Sequence, residues 1–189
     1  MTHHYNTKGG TMNSVKTTSF LCLLITSQSA LALRSCEDYI SDQWPDSRYS
    51  INVQSATVID KKTTLMWKRC SQGTSGASCQ TGTAGAFTWQ QALENVETLN
   101  NTTGFAGFNN WRLPNRKELR SLAAMNCIDP AINETAFPNT PLFWYWTSSP
   151  IIAEPNGFGF SWDIYFKNGN DSGFPRETEL NVRLVRDTE

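Results

Sequence analysis

The sequence predicts an α+β fold in which two helices pack on short twisted antiparallel sheets, the whole stapled by disulfides. Three observations carry this. Two segments combine helical periodicity with side-chain caps, several short segments alternate with a period of two, and four cysteines follow an export-type leader. The order is a hairpin, then two helices, then strands, with no internal repeat, which suits an α+β arrangement. A length of 189 residues fits one domain.

The leader comes first. Lys16 lies in a short polar stretch over residues 12–19, followed by the apolar run Phe20, Leu21, Cys22, Leu23, Leu24 and Ile25, and then by Ala30, Leu31 and Ala32. Charge, short apolar core and small residues in that order make residues 1–32 a signal peptide, with Met12 a better start than Met1. The run is too short to span a bilayer. Arg34 spoils a lipoprotein-type box ending at Cys36. The expected product is therefore exported (periplasmic, extracellular or attached to the cell surface) with no membrane span.

Cleavage after Ala32 leaves 157 of the 189 residues, enough for one core. It removes Lys8 and Lys16, so 14 basic residues face 17 acidic ones, a net charge of −3. Nothing here calls for a nucleic-acid partner. His3 and His4 also go, which removes His triads, His general bases and His-ligated metals from consideration. Cys36, Cys70, Cys79 and Cys127 remain, and an even count in an exported chain reads as two disulfides. Cys70 and Cys79 flank a Gly/Ser-rich loop and pair locally; Cys36 and Cys127 pair by elimination. A four-thiolate zinc site is the alternative, but its usual close cysteine pairs are missing.

Residues 33–55 read as an irregular N-terminal segment and 56–189 as the domain proper. Residues 56–67 form a hairpin, with Val58 and Ile59 opposite Leu65, Met66 and Trp67 across the polar turn of Asp60, Lys61, Lys62 and Thr63. A first helix begins at a Thr88/Gln91 capping box and buries Trp89, Ala92, Leu93, Val96 and Leu99. A second starts after Pro114, capped by Asn115 with Glu118 at its third position. It buries Leu119, Leu122 and Ala123 and turns Arg116, Lys117 and Arg120 outward. A proline-held loop covers 127–141. Strands follow at 143–148, at 160–167 before the Asn168-Gly169 turn, and at 181–186.

Six strings appear in one order: TLMW from Thr64, FTWQQAL from Phe87, WRLPNRKEL from Trp111, AINETAFPNTP from Ala131, YWTSSP from Tyr145 and VRLVR from Val182. Together they resemble the C-terminal domain of bacterial collagen-like adhesins, the Lcl C-terminal domain family, from about residue 36 to 186. Cys36 and the run Pro45 to Tyr49 fit its N-terminal part. Many members carry glycine where this chain has Thr64, which implies a less regular hairpin here. The resemblance implies a C-type-lectin-like fold, with Trp67, Trp89, Trp111, Arg112, Pro114, Glu118, Trp146 and Trp162 as its structural signature. WRLP followed by an acidic residue is also similar to formylglycine-generating enzymes of that fold, so it reads as a fold signature. In it Trp111 is an apolar plug, Arg112 reaches a carboxylate or carbonyls, and Pro114 sets the helix entry.

Three sites compete for function. Arg116, Lys117 and Arg120 on one helix face suit sulfates or carboxylates of an acidic polysaccharide, with both arginines facing water. Glu154, Pro155 and Asn156 match the EPN motif of calcium-dependent lectins, with Asp163 as a further ligand, although the second asparagine of W-N-D is absent. Tyr145 and Phe158 are candidate sugar-stacking aromatics. For enzymes, no cysteine follows Cys127, whereas the formylglycine-generating enzymes use a late reactive pair, and Ser148-Ser149 has no histidine to serve it. Asp163, Asp171, Glu177 and Glu179 could form a glycosidase pair only if two face each other, and read more simply as solvated acids.

The resulting expectation is a secreted or surface-exposed, non-catalytic binding or adhesion module for a glycan or acidic polysaccharide, with no cofactor unless calcium. The alternatives are an enzyme (formylglycine-generating-like or a carboxylate-based glycosidase) and a structural part of a surface assembly. The collagen-like stalk of the named adhesins is missing, so trimerisation is not implied.

Overall fold

A computed structural model describes residues 1–4, 34–152 and 159–189 and divides the chain into two units, Met1–Leu31 and Ala32–Glu189. The elements all lie in the second. The leader from residue 5 onward falls outside the described residues, as do Glu154, Asn156 and Phe158.

The chain enters through β1 (Ser35–Cys36), a 3-10 turn at Asp46–Arg48 and β2 (Tyr49–Asn52). Then come β3 (Thr57–Asp60), β4 (Leu65–Lys68), β5 (Thr74–Ser75), β6 (Thr81–Gly82), α1 (Trp89–Asn101) and α2 (Arg116–Arg120). The C-terminal part holds β7 (Cys127–Ile128), β8 (Trp144–Pro150), β9 (Phe160–Tyr165), β10 (Asp171–Pro175) and β11 (Val185–Asp187). These strands pair antiparallel, in sheets ordered β11-β4-β3-β2, β10-β9-β8, β1-β7 and β5-β6. This is α+β.

Both helices start at reciprocal caps. The Gln91 amide donates to Thr88 Oγ1 at 3.2 Å while the Thr88 amide donates to Gln91 Oε1 at 2.9 Å. At α2 the Glu118 amide donates to Asn115 Oδ1 at 2.9 Å and the Asn115 amide to Glu118 Oε2 at 2.7 Å. Each cap satisfies donors that the first turn leaves open. The second helix is shorter than its apolar stripe suggests: it ends at Arg120, and Leu122 and Ala123 are buried by the turn that follows.

Two expectations are corrected. Residues 33–55 are not wholly irregular, because Tyr49–Asn52 pairs with Thr57–Asp60 as the sheet's edge, burying Tyr49. Arg48 fixes this edge. Its guanidinium donates from Nε to Asp60 Oδ1 at 2.7 Å and from Nη2 to Asp60 Oδ2 at 2.6 Å, and it also reaches the Ser121 carbonyl. Asp60, nominally a turn residue, is fully buried. Burial works against its charge, but the Arg48 guanidinium, the Thr63 hydroxyl and the Lys62 amide outweigh this and hold its carboxyl below the usual range.

The alternation over 181–186 is only half a strand. Val185–Asp187 pairs with β4, whereas Val182, Arg183 and Leu184 run buried beyond the ladder. Their hydrogen bonds go to the chain leaving β4: Leu184 accepts from the Lys68 amide and Val182 from the Gln72 amide, each at 2.9 Å. Arg183, fully buried, donates to the Lys68 and Arg69 carbonyls and to Thr140 Oγ1, over the Phe137 ring. A buried guanidinium tolerates that position because carbonyl and hydroxyl acceptors meet several of its donors.

The first hairpin is regular despite Thr64. Register runs unbroken from Thr57 opposite Lys68 to Asp60 opposite Leu65, and Thr64 adopts a left-handed φ of 58° to close the turn.

Both expected disulfides are present. Cys70–Cys79 closes a local loop, and Cys36–Cys127 joins β1 to β7 across 91 residues. The β10-β9-β8 sheet is covered on both faces. Tyr145 and Ile164 enter one cluster with Trp67, Leu119 and Phe137; Trp146 enters the other with Ala92, Trp111 and Leu184. Trp111 is 2 % exposed and donates its indole N–H to the Phe105 carbonyl, and Trp146 donates to the Phe87 carbonyl. Trp89 is only partly buried and donates to the Thr147 carbonyl.

Candidate ligand-binding site

The short α2 is set rigidly against the β10-β9-β8 sheet. Upstream, Arg112 forks onto Glu118, with Nη1 to Oε2 at 2.8 Å and Nη2 to Oε1 at 3.0 Å, and reaches Asp187 at 3.2 Å. One carboxylate thus serves as helix cap and as the arginine's partner. Pro114 accepts a hydrogen bond at its carbonyl from the Ser148 amide, and the Arg116 amide donates to Ser149 Oγ at 2.9 Å. These contacts dock the start of α2 on β8.

On the face that α2 covers, Arg116 donates from Nε to Asp171 Oδ2 at 2.7 Å, with Nη2 also on Oδ2, and Arg120 donates from Nη1 to Asp171 Oδ1 at 2.8 Å. The Arg116 guanidinium lies 3.4 Å from the centre of the Trp162 ring. Burial works against Asp171's charge, yet the two guanidiniums prevail and hold its carboxyl below the usual carboxylate range. Both arginines are therefore partly sequestered, 39 % and 41 % exposed at the side chain, and do not simply face water. Lys117, in none of the ion pairs among the described residues, stays exposed. Arg116, Lys117, Arg120, Asn115, Ser149 and Trp162 line one recess of about 540 Å³. Three cations against one carboxylate leave it with two positive charges in excess.

The structure thus brings the three basic residues together and adds Trp162 and Asp171, neither of which sequence reading placed there. The signal was available for Asp171 in part: two arginines one turn apart need a counter-ion, and alternation puts Asp171 on the same sheet face as Trp162.

The other candidates lie elsewhere. Asp163 is not a solvated strand acid. It is fully buried on the opposite sheet face from Trp162, and neither carboxylate oxygen has a hydrogen-bond partner of acceptable geometry. Burial pushes its carboxyl up to about 7, the Asp171 charge adding to the effect and the Phe174 amide opposing it. Asp163 and Asp171 therefore point to opposite faces and do not form a facing pair. Among the described residues no group of three His, Cys, Asp or Glu side chains could hold a metal ion. Tyr145 is fully buried with its hydroxyl on Ser71, so it cannot stack on a sugar.

A disulfide-stapled α+β domain with a partly neutralised cationic recess is the class these features define. The model of the Lcl C-terminal domain matches residues 56–186, and the chain belongs to that family, which associates it with surface adhesins. The match begins after the N-terminal segment containing Cys36. A search of curated proteins finds no match.

Proposed function

We propose that this domain is a non-catalytic recognition module, exported by its leader, with a C-type-lectin-like fold, and that it binds an acidic polysaccharide in the α2 recess. The observation that carries the reading is the convergence of Arg116, Lys117 and Arg120 with Trp162 in one concavity on a chain whose net charge is −1. A local positive excess on a mildly acidic chain concentrates anionic ligands. Guanidiniums already oriented by Asp171, that of Arg116 also stacked on Trp162, lose little freedom when they engage a carboxylate or sulfate. The two disulfides suit an oxidising compartment. Among the described residues no helix is long and apolar enough to cross a membrane.

The test is retention of the oxidised chain on a heparin-like matrix across a salt series, with and without chelator. Retention is expected to fall with salt, to ignore the chelator, and to drop in Lys117→Ala with an unchanged melting temperature, since Lys117 is exposed. Loss of retention in chelator supports calcium instead. Retention indifferent to salt, chelator and Lys117→Ala rejects the recess.

A further inference from the structure

Asp171 stands at the head of β10, the edge strand of the β10-β9-β8 sheet, with its side chain 18 % exposed. Both of its carboxylate oxygens are in use: Oδ2 accepts from Arg116 and Oδ1 from Arg120. A carboxylate bridging two guanidiniums one helical turn apart is the arrangement an external anion would adopt on the same donors. The docking of α2 does not depend on this contact. The helix start is held on β8 through the Pro114 carbonyl and the Arg116 amide, it is capped by Asn115 and Glu118, and the Arg116 guanidinium lies over Trp162, all without Asp171. The pairing of Asp171 with Ile164 is made by the backbone and does not require a charged side chain.

The contact has two effects of opposite sign. It fixes the two guanidiniums, and it fills the position between them with a negative charge. A tethered carboxylate is present at a high local concentration, so a free anion reaches the same donors only by outcompeting it. We infer that Asp171 is an internal competitor that sets the affinity of the recess: it holds the place between Arg116 and Arg120 in the free protein and gives it up to a bound anion. Arg116 stays aligned by Trp162 during the exchange. Lys117, exposed and in none of the ion pairs among the described residues, is open to the incoming anion throughout. This rests on the reading of the recess as an anion site.

Isothermal titration of the oxidised chain with inorganic tripolyphosphate tests this. Asp171→Asn keeps an acceptor for the guanidiniums and removes the charge. It is expected to bind about tenfold more tightly, the effect of one unit charge a few Å from the bound anion at a part-exposed site. Its affinity is also expected to fall more steeply with salt, because three cations then stand uncompensated. The melting temperature is expected to change little, since part-exposed ion pairs contribute little to stability. Asp171→Ser, smaller and also uncharged, is expected to move affinity in the same direction. Glu94→Gln makes the same change in net charge at an exposed position of α1 and is expected to leave affinity within about twofold of wild type. Unchanged or weaker binding in the Asp171 variants, or an equal gain in Glu94→Gln, overturns the competitor role. Tripolyphosphate binding that ignores Lys117→Ala overturns the anionic recess instead, whereas binding that falls in Lys117→Ala without rising in the Asp171 variants overturns the competitor role alone. Binding by none of these proteins overturns both.

Discussion

Asp163 offers a direct measure of how deeply β9 is buried. Its carboxyl is fully enclosed and sits near 7, against 3.8 for an ordinary aspartate, chiefly because burial disfavours the charged form. A group whose proton affinity rises on folding contributes most below its unfolded value and loses that contribution as pH climbs to the folded one. Asp163 therefore carries no ionisation penalty below about pH 4 and opposes the fold increasingly up to about pH 7. The gap between the two values, at about 1.4 kcal/mol for each tenfold in proton affinity, amounts to roughly 4 kcal/mol above pH 7. Asp163→Asn keeps the shape and cannot ionise. Its stability relative to wild type is expected to be near zero at pH 4 and to rise to as much as about 4 kcal/mol at pH 8. In a domain of this size that corresponds to a melting temperature higher by roughly 10 °C at pH 8. Thermal melts of both proteins at pH 4, 6 and 8 provide the check. Parallel pH profiles for the two would refute the argument, since they would mean that Asp163 reaches water or a donor in the folded state.

Trp111→Ala is expected to destabilise the domain by about 3–5 kcal/mol in a denaturant titration, because the ring is 2 % exposed and its removal leaves a cavity and breaks the indole hydrogen bond to the Phe105 carbonyl. Asp60→Ala strands the buried Arg48 charge and is expected to cost about 3–5 kcal/mol, more than the double change Arg48→Met with Asp60→Ala, measured by the same titration. Thr64→Gly relieves a left-handed φ of 58° and is expected to stabilise the fold by up to about 1 kcal/mol, with a small rise in melting temperature and no change in ligand retention.

Local features are the ones legible in the sequence. The two capping boxes join residues three apart, so the Thr88/Gln91 and Asn115/Glu118 pairs can be read without any tertiary knowledge. The cysteine pairing follows from a short loop and elimination. What escapes is set by contacts between distant segments. Whether Arg116 faces water depends on Asp171, 55 residues away, and on a Trp162 ring lying under it. Asp163 and Tyr165 alternate with Trp162 and Ile164 as a half-solvated strand would, but Trp146 and its neighbours cover the second face as well. At 182–184, Arg183 mimics a surface residue in sequence while its guanidinium is consumed by carbonyls of the chain leaving β4.

The unequal spans of the two disulfides also order events during synthesis. Of the four bridged cysteines, Cys36, Cys70 and Cys79 emerge from any N-to-C process before Cys127, so for a stretch of chain growth these three coexist with one correct pair available among them. Closing the nine-residue separation between Cys70 and Cys79 requires only local diffusion, on the order of 10–100 ns per encounter. That bond withdraws Cys70 and Cys79 as competitors for Cys36 until its distant partner arrives. The short bridge is thereby expected to protect the long one: a chain lacking Cys79 would retain Cys70 as a ready trap for Cys36, and its errors are expected to accumulate as a scrambled covalent species, visible on a non-reducing gel, rather than as a less stable native fold.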